Sequence, residues 1–325
     1  GTLTFTGPFL SGNNNGHAFI FNVVAPEAVI QNTGVLSNGG TAALWLYKRG
    51  AGTQVLSAAN TYTGNTVVDE GTLALTPSGA LSASSLIRLR GGTLLLNAVA
   101  PAATYTATFG ALQVDGGQST LSVASGATSA QVTFASLTNL SGAVDFVADG
   151  LGTTTKIFFT GLAEGLIGPW ATVNNGASFA AYSSSLGVYA TNLTVQALQA
   201  LGPSTITNNV AEAARITSAG TGGGITLGSN PTSVGLLAQD VDTAAAVAFG
   251  GQTLVTPRVQ VSVGAASLTL GSAAGDGALT APASSAGKLF LANANAAAGA
   301  VLVVNAAVTN NGATAVRLEK SGPGD

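Results

Sequence analysis

Residues 48–75 read KRGAGTQVLSAANTYTGNTVVDEGTLAL. Short apolar runs alternate with corner residues. A strand at 54–57 leads to a polar corner from Asn60 to Asn65, then a strand at 66–68, the turn Asp69-Glu70-Gly71, and a strand at 72–75. Strands this short, with Gly, Asn and Asp between them, cannot stand as a flat sheet and need similar coils stacked above and below. A single coil has nowhere to bury its inward side chains, whereas a stack has a continuous core. The stretch therefore predicts one coil of a β-solenoid.

Several positions in it, Lys48, Gly50, Gly52-Thr53, Leu56-Ser57, Ala59-Asn60-Thr61-Tyr62-Thr63-Gly64 and Glu70-Gly71-Thr72-Leu73, carry a resemblance. They resemble the autotransporter-associated β-strand repeat, also called the passenger-associated transport repeat, of large secreted bacterial surface proteins. Residues 156–182, KIFFTGLAEGLIGPWATVNNGASFAAY, are similar to the spacer between such repeats. The resemblance implies an all-β, right-handed parallel β-helix outside the cell. It does not imply an enzyme.

Two further stretches echo the repeat. The run from Asn311-Gly312 through Val316, Leu318, Lys320 and Gly324 matches Asn38-Gly39 through Gly52 with one residue fewer. Gly1-Thr2-Leu3-Thr4-Phe5 can be laid on Gly52-Thr53-Gln54-Val55-Leu56, and Gly12-Asn13 on Gly64-Asn65. The expectation is a repeat divided between the two ends of the chain and completed by another molecule or by a following stretch of a longer protein.

Charged residues make up only 7% of the 325, while hydrophobic ones reach 46%. Such a sparingly charged chain points to an assembled or surface-bound state. A net charge of −3 with scattered basic residues leaves no electrostatic footprint for nucleic acid. The absence of cysteine excludes a disulfide scaffold, a thiolate metal site and a cysteine nucleophile. The absence of methionine suggests a processed form or a piece, with a secretion signal removed ahead of Gly1. No apolar run reaches the roughly 18 residues of a membrane-spanning helix.

Short strands with turn residues every ~8–12 positions, and no helical periodicity, indicate an all-β chain throughout. Periodicity alone allows a sandwich or barrel, so the solenoid rests on the repeat. The expected organisation is one continuous solenoid over 1–325, with the motif at 48–75 and a loop excursion at about 162–189 around Gly168-Pro169-Trp170. Leu201-Gly202-Pro203-Ser204 marks where a subdivision would fall.

Among chemistry-bearing residues, Asp69-Glu70 and Asp240-x-Asp242 are the close acidic pairs. A glycosidase needs two carboxylates flanking a sugar about 5–9.5 Å apart. Asp69-Glu70 reads as a solvated turn and Asp240/Asp242 as an exposed strand or loop, with calcium the minority reading. His17 is the sole histidine, read as a loop residue beside the Asn-rich turn. Trp45 and Tyr47 share a strand face and read as a cover for the core or an assembly contact, with sugar binding as the alternative. Gly91-Gly92 and Gly222-Gly223-Gly224 lack the helix and lysine of a phosphate loop. Asn13 to Asn15, Asn60 and Asn65 read as corner residues.

Function then turns on edges. End coils of a solenoid expose unpaired N–H and C=O groups unless capped, and neither end carries a capping helix or a charged end strand. The sequence predicts a structural extracellular subunit, non-enzymatic and without cofactors. It is expected to be secreted after signal removal and to stack head to tail through Thr2, Leu3, Thr4, Phe5, Val316, Leu318, Lys320 and Gly324. Its partners would be itself and cell-surface or matrix glycans. The alternatives are a fragment of a large autotransporter-like adhesin and, more remotely, a carbohydrate-active β-helix enzyme.

Overall fold

Strands of two to six residues dominate the chain, and glycine corners bring each back onto the strand one coil earlier. The computed structural model describes residues 1–10, 17–79, 81–98, 101–124, 128–191, 193–295, 297, 299–322 and 324. The Asn13 to Asn15 loop, the overlay of Gly12-Asn13, and the side chain of His17 lie outside the described residues. By contact the chain divides into two compact units, Gly1–Thr191 and Asn192–Asp325. Each is a parallel β-solenoid, and no α-helix occurs among the described residues.

The first unit repeats three stations per coil. The first station holds β1 (Thr2–Phe5), β4 (Val29–Asn32), β7 (Thr53–Leu56), β9 (Thr72–Leu75), β11 (Thr93–Leu96), the second halves of β13 (Leu112–Val123) and β15 (Leu137–Val147), and β18 (Ala171–Val173). The second holds β2 (Phe9–Leu10) and β5 (Leu36–Ser37), then β12 (Thr104–Phe109), β14 (Ser129–Phe134) and β16 (Thr155–Phe159). The third holds β3 (His17–Asn22), β6 (Leu44–Arg49), β8 (Thr66–Val68), β10 (Ile87–Leu89) and the first halves of β13 and β15.

Parallel pairing in register puts like side chains in columns. Leu73, Leu94, Leu121 and Phe146 succeed one another inside the stack, all fully buried. Each such side chain contributes about 1.5–3 kcal/mol by burial. At the second station Phe109, Phe134 and Phe159 stack with ring centroids 5.3 Å apart at each step. The expected excursion at 162–189 forms short antiparallel strands, β17 (Gly165–Leu166), β19 (Ser178–Ser183) and β20 (Gly187–Ala190). They lie against the last coil of this unit, where the Tyr182 hydroxyl donates to the Phe159 carbonyl at 3.0 Å.

The second unit is built the same way. One station runs β21 (Thr194–Gln199), β23 (Asn209–Ser218), β25 (Thr232–Gln239), β28 (Arg258–Val261), β31 (Lys288–Asn293) and β34 (Arg317–Ser321). The next runs β22 (Ser204–Ile206), β24 (Ile225–Leu227), β26 (Ala245–Ala248), β29 (Leu268–Leu270) and β32 (Leu302–Val304). The last starts in β25 and continues through β27 (Thr253–Val255), β30 (Ala278–Thr280) and β33 (Ala307–Val308). Its core is a cluster of its own, including Leu237, Val247, Leu254, Val259 and Leu289.

Candidate functional site

A lysine stands where the binary pattern calls for an apolar residue. In β6 the burial alternates, and Lys48 falls on the inward side with Leu44 and Leu46, in a column between Phe21 and Val68. Its ammonium donates to the carbonyls of Arg49 at 2.8 Å, Gly50 at 2.5 Å and, in the following coil, Glu70 at 3.0 Å. Three acceptors use all three ammonium protons, which makes a buried charge tolerable. Burial lowers its pKa to about 8, against the opposing pull of the Glu70 carboxylate, so it stays charged at neutral pH.

The corner around it is held from both sides. Asn38 accepts the Leu44 amide at 3.0 Å within its own coil, and in the following coil accepts the Thr63 amide at 3.2 Å and donates to the Thr63 hydroxyl at 2.9 Å. Gly50 has φ +71°, and a Cβ there would lie 2.5 Å from the Val23 carbonyl oxygen of the preceding coil. The Gly52 amide donates to that carbonyl at 2.8 Å.

The same corner recurs at the end of the second unit. Val316 donates its amide to Asn310 Oδ1 at 3.0 Å, as Leu44 does to Asn38. Asn310, Val316, Leu318, Lys320, Gly322 and Gly324 then follow Asn38, Leu44, Leu46, Lys48, Gly50 and Gly52 at one constant displacement. The alignment expected from sequence, with Asn311 on Asn38 and one residue fewer, is thereby corrected: Asn310 does the capping and no residue is missing. Gly322 has φ +86°, its Cβ would meet the Asn293 carbonyl at 2.1 Å, and the Gly324 amide donates to Asn293 O.

The two corners differ in what lies beyond them. β34 pairs with β31 on one edge, and among the described residues no strand pairs with its other edge. Leu46 is 1% exposed, while its counterpart Leu318 is 54% exposed above the buried Leu289. The Lys320 ammonium reaches the Gly322 carbonyl at 3.4 Å. Among the described residues no strand follows β34 to supply the counterpart of Glu70.

At the start of the first unit, among the described residues, β1 pairs only with β4 and β3 only with β6. Thr2, Leu3 and Thr4 are exposed, Leu3 by 55%, although Leu3 begins the inward column that continues through Ile30. Phe5, Phe9 and Phe19 form an edge-to-face chain with 5.5 Å between successive centroids. The residues expected at an assembly edge thus fall into two groups: Thr2 to Phe5 on β1, and Val316, Leu318, Lys320 and Gly324 on the last coil. The sequence reading missed Phe19, Phe21 and Asn310, for which the alternating pattern of HAFIFN and an asparagine six residues ahead of the inward Val316 were the available signals.

Of the other candidates, Asp240 and Asp69 are engaged in coil-to-coil contacts. Asp240 takes a two-pronged ion pair from Arg215, at 2.7 and 3.0 Å, and a bond from Ser262 at 2.6 Å. Asp242 is exposed in the turn that follows. Asp69 lies between Arg49 and Arg90 at 3.0 and 3.4 Å. Trp45 and Tyr47 are near-parallel at 6.2 Å, with the Arg49 guanidinium 5.3 Å from the Tyr47 ring. The Gly91 amide donates to the Ser119 hydroxyl at 2.9 Å. Among the described residues no group of three His, Cys, Asp or Glu is placed to share a metal ion, and no helix is long and apolar enough to cross a membrane.

The class defined by this geometry is a parallel β-solenoid, with one corner stapled to the next coil by a buried lysine. Residues 46–75, which contain the stapled corner and the coil above it, match the family described as Passenger-associated-transport-repeat. The resemblance drawn from the sequence holds over those residues. No curated protein and no solved structure matches the chain. Repeat and fold together support an autotransporter-like passenger β-helix protein; such passenger domains are secreted or surface-exposed, which suggests an extracellular location. The repeat family is a structural passenger repeat and is not a known enzyme family.

Proposed function

We propose that the chain is a structural, non-catalytic extracellular β-solenoid whose edge coils each take up a further coil, so that units stack head to tail into a surface or matrix filament. The observation that carries this reading is a parallel edge in each unit, β1 and β3 in the first and β32 to β34 in the second, that no strand covers among the described residues. Strand addition to such an edge satisfies backbone groups in the way a fibre-forming contact does. Because the two edges differ, the contact is heterologous, and it runs on into a filament unless its rotation closes a ring. Thr2, Leu3, Thr4, Phe5, Val316, Leu318, Lys320 and Gly324 are the contributing residues.

A passenger segment of a large adhesin is the second reading, favoured by the repeat match at 46–75. In it, the same edges are covered by further coils of one chain. Electron microscopy of the purified 325-residue chain separates the two: linear assemblies that lengthen with concentration support stacking between molecules. Uniformly dispersed particles at every concentration refute it.

A further inference from the structure

We propose that the coil received by the Lys320 corner is the first coil of a second copy of this chain, with β3 laid on β34 so that Phe19 faces Leu318. The inference rests on the stacking reading above and specifies its partner and register.

Two equivalences carry it. The first is the identity of the corners: Asn38, Lys48, Gly50 and Gly52 on one side, Asn310, Lys320, Gly322 and Gly324 on the other, with the same side-chain cap and the same left-handed glycine. Whatever sits on the first corner has the shape required by the second. What sits there is the coil containing β7 and β8.

The second equivalence links that coil to the first coil. Strand β4 pairs with β7 on one edge and with β1 on the other, and Val29 faces Thr53 and Thr2 respectively. Strand β6 likewise pairs with β8 and β3, with Leu46 facing Thr66 and Phe19. β1 and β3 are therefore the register counterparts of β7 and β8 around one shared coil. Among the described residues no strand pairs with the outer edge of β1 or β3, nor with that of β34. The lengths agree too, since as many residues separate Leu302 from Arg317, the starts of β32 and β34, as separate Thr2 from His17, the starts of β1 and β3.

Placing the first coil of a second copy on the last coil then fixes the contacts. Leu318, exposed despite its inward position, is covered by Phe19, whereas Phe5 goes over β32 and not onto Val316 or Leu318. Arg317 faces Ala18, and both are exposed. The Lys320 ammonium gains a carbonyl from the turn at residues 23–28, in the role that Glu70 plays for Lys48.

Cysteine pairing tests the register directly, because the chain has no cysteine of its own. Neighbouring strands lie about 4.8 Å apart, within the Cα separation of about 4.4–6.8 Å that a disulfide spans. Chains carrying Ala18→Cys and Arg317→Cys are mixed and oxidised, with Asn22→Cys and Arg317→Cys as the out-of-register control. The expected result is a covalent dimer from the first pair at least tenfold faster than from the second. Lys320→Met, at an exposed position, is expected to weaken self-association of the unmodified chain about tenfold by sedimentation, the scale of one charged hydrogen bond. If the wild-type chain associates but the two cysteine pairs link equally, or not at all, the proposed partner and register are overturned while stacking stands. If the wild-type chain stays monomeric at every concentration, the stacking reading itself fails and this inference with it.

Discussion

The Lys48 ammonium donates to the Glu70 carbonyl at 3.0 Å, tying one coil to the next through a buried charge. Lys48→Met keeps the volume but takes the ammonium from the Gly50 and Glu70 carbonyls, while the Arg49 carbonyl keeps the Val23 amide. It should destabilise the first unit by about 2–3 kcal/mol in urea unfolding, the cost of stranding buried acceptors. The same residue sets a pH dependence. Its folded pKa of about 8 lies below the ordinary lysine value, so the unfolded chain binds the proton more tightly. The Lys48 contribution to stability should therefore be flat below pH 8 and rise between pH 8 and 10. Above that, stability falls, because burial raises the phenols of Tyr62 and Tyr105, the latter to about 12, and their contribution is lost as pH passes the unfolded tyrosine value. The rise between pH 8 and 10 should be absent in Lys48→Met; a slope that persists in the variant contradicts the assignment.

Gly50→Ala and Gly250→Ala form a matched pair. Both glycines have positive φ, +71° and +58°, but a Cβ at Gly50 meets the Val23 carbonyl while one at Gly250 meets nothing within 4 Å. The exposed site should lose about 1 kcal/mol from conformation alone, and Gly50→Ala about 2 kcal/mol or more because two coils must separate. Equal losses in denaturant unfolding would show that coil spacing at the corner is not limiting.

Phe134 sits between Phe109 and Phe159 in the stacked column and is fully buried. Phe134→Ala should cost about 3–5 kcal/mol and Phe134→Leu less, following the cavity left behind. Unfolding followed by circular dichroism checks the order.

In the second unit the Asp276 carboxylate accepts from the Ser272 amide and hydroxyl and from the Phe249 and Gly251 amides. These bonds hold its carboxyl well below the ordinary range. A depressed folded value means stability that is present above the unfolded carboxyl pKa of about 4 and lost as the medium becomes more acidic. Denaturant midpoints at pH 6 and pH 3 should differ more for the wild-type chain than for Asp276→Asn. An undiminished difference in the variant removes Asp276 from the account.

Much of the solenoid was legible because its signals are local. The strands at residues 66–68, 72–75 and 120–123 were read from apolar runs between Gly, Asn and Asp. The long strands β13 and β15 were not: Gly116-Gly117 and Ser141-Gly142 look like turns, but the chain passes through them with shifts of register and serves two stations. Thr104–Phe109 was missed because its alternating threonines carry no apolar run. The inward Lys48 was opaque for a different reason. Its third acceptor, Glu70, lies 22 residues away and reaches it only once the coils stack. Lys320 was legible as an echo of Lys48, but the capping asparagine was placed one residue late.

Amide hydrogen exchange, compared between dilute and concentrated protein, tests the edge coils most directly. The account predicts that Arg317–Ser321 and His17–Asn22 gain protection as concentration rises, while Thr72–Leu75, inside the stack, exchanges at one rate throughout. Exchange at the two edge strands that is fast and independent of concentration would contradict it.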